Sequence, residues 1–277
     1  MPKILTPAAI EAYQTRGFHF PTRVFSEEEA LDYRRALEAH EARAGGAPQG
    51  NWRVKTHLLF TWVDRLVNHP RILDAVEDVI GPDILCWTTN FFIKEPMSPG
   101  FVSWHQDATY WGLEPAEVVT AWVALSPSNA VSGCMQVIPG THLESLIPHV
   151  DTFHEDNLLT RGQEIAVEVD ESKAVSVPLA PGEISLHHIK LVHGSAPNQS
   201  SDRRIGLAIR YIPTRVRQTK HRDSAMLVRG HDAYGHFDLE PRPRSDLDDA
   251  ALAAHADAVE RKVAVMYEGT AKTRFRA

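Results

Sequence analysis

Residues 84–94 read Ile84-Leu85-Cys86-Trp87-Thr88-Thr89-Asn90-Phe91-Phe92-Ile93-Lys94. The run is rich in β-branched and aromatic side chains, which favour a pleated, half-buried strand. Similar short runs follow at 118–125, 135–138, 165–169, 174–179, 183–188 and 204–212. The turn signals Pro139-Gly140, Pro181-Gly182 and Pro197-Asn198 separate them. Many short strands at this spacing predict a β-sandwich or barrel.

Ahead of this run the pattern is helical. Thr6-Pro7 is a cap followed by a residue suited to the first turn, and Ser26 with Glu29 makes a capping box. Ala30, Leu31, Tyr33 and Leu37 continue a helical period until Ala44-Gly45-Gly46-Ala47-Pro48 breaks it. A further helix is expected from Pro70 to Gly81, with Ile72, Leu73, Val76 and Ile80 on one face. Residues 247–268 read as a closing helix, and 141–162 as a long polar loop suited to a lid or substrate contact. With 277 residues, 43% of them hydrophobic, and no shift in composition, the expectation is one domain over 1–277. It would have a helical part at about 1–82, a β core at about 83–230 and the closing helix.

A net charge of -7 leaves no electrostatic footprint for nucleic acid or an anionic membrane. No apolar run is long enough to span a bilayer, and no charged-then-apolar leader follows Met1. Cys86 and Cys134 alone do not make a disulfide scaffold; they read as buried apolar-like residues, and a cytoplasmic location is expected. Fifteen histidines direct attention to a metal.

Trp104-His105-Gln106-Asp107 carries the chemistry. His and Asp at i and i+2 of an extended segment point to one side. They would supply two of the three protein ligands of a facial triad, which leaves open positions on iron(II) for a chelating co-substrate and dioxygen. A distal histidine after a strand and turn would be the third, with His187, His188 and His193 as candidates. His187 and His188 face opposite ways on a strand, so only one of that pair could look inward. Arg204 lies eleven residues beyond His193 on an expected strand. Its planar fork suits a carboxylate in bidentate contact.

His105-Gln106-Asp107, the stretch Gly133-Cys134-Met135-Gln136-Val137-Ile138-Pro139-Gly140-Thr141-His142, and His193-Gly194-Ser195 with Arg204 together resemble the phytanoyl-CoA dioxygenase family. The likeness runs from about Lys94 to Ile212. It implies a mainly β fold with flanking helices around a double-stranded β-helix, or jelly-roll, core. It implies His105, Asp107 and His193 as ligands of Fe(II). It implies Arg204 and Ser195 on the distal carboxylate of 2-oxoglutarate and Trp122 against that co-substrate, with Lys55 and Asn90 as further contacts. O2 would be the second co-substrate, and a small molecule would be hydroxylated with release of succinate and CO2. Members that halogenate carry a small residue in place of the carboxylate; Asp107 points to oxidation instead.

Phe92, Lys94, Gln136 and Arg210 are candidate substrate contacts, and Arg210 could equally serve a structural ion pair. Trp104, Tyr110, Trp111 and Trp122 concentrate aromatic surface near the expected metal, either as core or as pocket wall. His142 would support a turn, and His149 and His154 would be solvated. Two other readings remain: a cupin-like metal enzyme that does not use 2-oxoglutarate, and a non-catalytic metal-binding barrel.

Overall fold

In the computed structural model, which describes residues 2–268 and Phe275, two antiparallel sheets enclose a cavity and helices cover the outside of the larger one. The strands are β1 (Phe18–Arg23), β2 (Ile84–Lys94), β3 (Val102–His105), β4 (Val119–Ala124), β5 (Met135–Ile138), β6 (Val175–Val177), β7 (Glu183–His188), β8 (Val192–Ser195), β9 (Arg204–Pro213) and β10 (Ser224–Arg229). The larger sheet runs β1-β7-β4-β9-β2-β10, with Asp238–Leu239 added in parallel to β10 at its edge. The smaller sheet runs β3-β8-β5-β6. This is the expected mainly β jelly roll.

The helices are α1 (Pro7–Arg16), α2 (Glu27–Ala44), α3 (Thr61–Val67), α4 (Pro70–Ile80) and α5 (Asp249–Met266). The capping reading holds. Thr6 accepts from Ala9 N, and Ser26 and Glu29 bond reciprocally across the first turn of α2. Alternation along the strands then assigns the two faces of the larger sheet. Leu207, Ile209 and Tyr211 of β9 pack outward with Val119, Ala121 and Val123 of β4 against Leu37, Leu66, Ile72 and Val76 of the helices. Each such side chain contributes about 1.5–3 kcal/mol on burial. The opposite face of the same sheet turns Phe92 of β2, Trp122 of β4 and Arg204 and Arg210 of β9 to the cavity.

Three strands depart from the sequence reading. β1 lies inside the part expected to be helical and pairs antiparallel with β7. Its Phe-His-Phe-Pro sequence carries too short a pattern to announce a strand. β8 and β10 also went unforeseen: β8 is four residues of Val-His-Gly-Ser with no apolar alternation. The run expected at 165–169 pairs only over Gln163–Ile165, against His149–Asp151 within the expected loop. Among the described residues no helix is long and apolar enough to cross a membrane.

Candidate metal centre

β3 and β8 lie side by side in the smaller sheet with His105 directly opposite His193. Both imidazoles face the cavity, their ring centres 4.1 Å apart. Asp107 arrives differently from the expectation of one extended segment. β3 ends at His105, and Asp107 sits in a right-handed helical turn at φ -60, ψ -32. Its Oδ1 lies 3.5 Å from His105 Nε2. Gln106, fully buried between the two, holds this corner: its amide bonds Lys190 O and Ile147 N, and its backbone N–H donates to His149 Nε2.

Donor atoms of His105, Asp107 and His193 all lie within 4.8 Å of one another, close enough to share one metal ion. The chemistry of the set fits that use. Nδ1 of His105 is 2.9 Å from Ser103 O and Nδ1 of His193 is 2.9 Å from Leu191 O. An N–H donated there fixes the tautomer and leaves each Nε2 lone pair for a metal. Burial, then the neighbouring His105, hold His193 down to about 4, so it stays neutral as a ligand must. Burial alone would raise the Asp107 carboxyl, but His105, Arg210 and His193 together pull it below the usual range. Its Oδ2 is buried without a partner. Such an orphan is costly unless something binds it.

Behind the histidines lies a small inner cavity of about 40 Å³. Arg204 enters it from β9, 2% exposed. One Nη donates to Gly133 O at 3.1 Å, Nε has no partner, and the guanidinium lies 5.1 Å over the Trp122 ring. Trp122 can lie flat there because β9 has no side chain at Gly206: a Cβ would stand 1.9 Å from the indole. Ser195 lines the same cavity, and its Oγ accepts from Lys94 Nζ at 2.6 Å. The structure therefore brings Arg204, Ser195 and Trp122 together beside the histidines. His187 lies 4.9 Å from the His193 ring and faces the same space, whereas His188 turns to the other face against Tyr13 and His142.

The remaining candidates are placed as follows. Lys55 does not reach this cavity; its ammonium is fully buried on Ser224 O and paired with Glu240. Asn90 lines a second, outer cavity of about 110 Å³, where it accepts from Arg210 at 2.8 Å. Asp107 opens onto that cavity, and Phe92, Leu159 and Arg210 line both. Lys94 is corrected from substrate contact to internal brace. Its Nζ is spent on Ser195, Ala196 O and Gly133 O, and burial with the Arg204 charge pushes it down to about 6. Gln136 is also corrected: Met135 takes the inward position, so Gln136 alternates to an outer groove. Trp104 likewise faces outward and donates to Glu171. His149 is not a solvated loop residue but the acceptor that holds Gln106. Sequence reading missed Lys262 of α5, which lines the outer cavity. The available signal was a lysine within the otherwise apolar stripe Ala258, Val259, Val265, Met266.

A family model described as phytanoyl-CoA dioxygenase (PhyH) matches residues 5–206. The chain belongs to this family. The phytanoyl-CoA dioxygenase core thus spans everything from α1 to the start of β9. Among curated relatives, a "Probable alpha-ketoglutarate-dependent hypophosphite dioxygenase" of Stutzerimonas stutzeri is 30% identical over 56% of this chain and 54% of its own length. The human peroxisomal phytanoyl-CoA dioxygenase is 34% identical over 47% of this chain and 40% of its own. The chain thus spans about half the length of the curated relatives it matches. Among solved structures, the apo form of the non-heme monooxygenase ThoJ superposes with a TM-score of 0.80 at 40% identity, covering 92% of this chain and 95% of that one.

Proposed function

We propose that the protein is a 2-oxoglutarate-dependent iron(II) dioxygenase that hydroxylates a C–H bond of a small molecule, releasing succinate and CO2. One observation carries the reading: a buried His105, Asp107 and His193 set, whose Asp107 Oδ2 has no hydrogen-bond partner among the described residues, stands beside an arginine whose Nε also has none. Family membership, the alpha-ketoglutarate-dependent enzyme among its relatives and the non-heme monooxygenase among its structural neighbours support it.

A bound ferrous ion would supply the activation of dioxygen, coupled to oxidative decarboxylation of 2-oxoglutarate. The chain's residues do the rest. His105 and His193 present Nε2, each oriented by a backbone carbonyl behind it. Asp107 adds a carboxylate oxygen and offsets part of the metal's charge. Arg204 and the Ser195 hydroxyl grip the far carboxylate of the co-substrate, and Trp122 forms its wall. Asp107 opens toward the outer cavity, so substrate approaches from there, screened from water by Leu159 and Trp111. Free, buried Cys86 and Cys134 suit a reducing compartment such as the cytoplasm.

The test is anaerobic loading with Fe(II) and 2-oxoglutarate followed by oxygen. Expected are a visible charge-transfer band on loading and succinate on oxygenation. Iron binding without any response to 2-oxoglutarate would instead favour a cupin-like metal enzyme.

A further inference from the structure

We propose that the outer cavity recognises a substrate carrying an oxyanion, a carboxylate or a phosphorus acid, through Lys262 and Arg210. This rests on the oxygenase reading for the cavity's role, but the binding chemistry stands on its own geometry.

Lys262 comes from the buried stripe of α5 and is 3% exposed. It lines the cavity, and its Nζ has no hydrogen-bond partner among the described residues. It sits 2.6 Å over the centre of the Trp87 ring and 5.8 Å from that of Trp111. Arg210 reaches Trp111 from β9 of the larger sheet, 5.3 Å from the same ring. Among the described residues only a neutral carboxamide, Asn90, accepts from its guanidinium, and its Nε is unpartnered. Among the described residues, then, two buried basic side chains flank one indole without an ion pair of their own.

The nearby carboxylates are already engaged. Asp223 accepts from Trp87 Nε1 at 2.7 Å and from the Ser224 N–H. Glu240 is held by Lys55 and His57. Asp107 belongs to the metal set, and Glu155 stands exposed at the rim. Burial pushes the Lys262 ammonium well down; the Asp223 charge opposes this, and the Lys55 and Arg210 charges add to it. A buried ammonium without acceptors is unfavourable, and an incoming anion would relieve it. Aromatic faces hold such a cation in place but satisfy none of its N–H donors. An oxyanion seated there would share the outer cavity with Asp107, the metal-set residue that opens onto it.

The experiment is calorimetric titration of the Zn(II)-loaded protein with methylphosphonate and, separately, propionate, with and without saturating 2-oxoglutarate. Wild type is expected to bind at least one probe, and the preferred probe identifies the acid. Lys262→Met and Lys262→Gln should each weaken that binding by roughly tenfold or more, as loss of a charge-assisted bond implies, while Lys262→Arg retains it. Lys262→Met should also melt no lower than wild type. Equal binding by wild type and both neutral variants, or no binding of either probe at tens of millimolar, overturns the proposal. Failure of wild type to bind 2-oxoglutarate would sink the oxygenase reading instead, and the titration without it would still report on Lys262.

Discussion

Two side chains with unspent atoms carry the proposed chemistry, and each makes a separate forecast. Asp107 Oδ2 has no partner, so Asp107→Ala removes a ligand without breaking a hydrogen-bond network. We expect loss of Fe(II)-dependent succinate formation with an unchanged far-ultraviolet circular dichroism spectrum; activity at the wild-type level would take the carboxylate out of the metal set. Among the described residues the Arg204 guanidinium makes one hydrogen bond, to Gly133 O, and it lines the inner cavity. Arg204→Ala should raise the 2-oxoglutarate concentration for half-saturation roughly 10- to 100-fold, the equivalent of about 1.5–3 kcal/mol for hydrogen bonds to a charged group. A titration curve that does not move would end its assignment to the co-substrate. At this scale the sequence was most readable. The spacing of His105, Asp107, His193 and Arg204 survives folding, because strand register puts His105 opposite His193. Lys55 was not readable: its partner Glu240 lies 185 residues away, and no local pattern announces such a pair.

Elements set how far those side chains can move. β9 and β4 pair with Ala208 opposite Trp122, and the gap at Gly206 lets the indole lie over the sheet. Gly206→Ala should displace Trp122 and cost about 1–3 kcal/mol as overpacking. Urea denaturation would measure the loss, and 2-oxoglutarate affinity should fall with it; a variant of wild-type stability and affinity would mean the indole is free to shift. The segment 141–162 is only partly the expected loop. His149–Asp151 pairs with Gln163–Ile165, and Arg161 bonds Asp151, stacks 4.3 Å over Tyr110 and reaches Met266 O of α5. Arg161→Ala should free the segment locally, so proteolytic nicking within 141–162 should rise while global unfolding changes little. Equal cleavage rates would place its stability elsewhere. Strong periodicity and caps made β2, β5, β7, α1, α2 and α4 legible. The short strands β1 and β8 owe their conformation to neighbours in the sheet rather than to their own composition.

For the whole molecule, one buried charge cluster serves the structure. Lys55 and His57 meet Glu240 where the segment ahead of α3 passes beneath the chain leading to α5, all three nearly inaccessible. Glu240→Ala leaves an ammonium stranded in the interior, a change that typically costs about 3–5 kcal/mol. Thermal unfolding should register it as a large drop in midpoint; a midpoint near wild type would mean that water replaces the carboxylate. The family match stops at residue 206, before Arg210 and the whole of α5. The residues proposed to hold iron and co-substrate thus lie within or beside the shared core, and one wall of the outer cavity is supplied by a helix outside it. Exchanging that helix between relatives would swap the molecule admitted while sparing the oxidising machinery, which makes α5 a natural point for drift in diet and a practical handle for redesign.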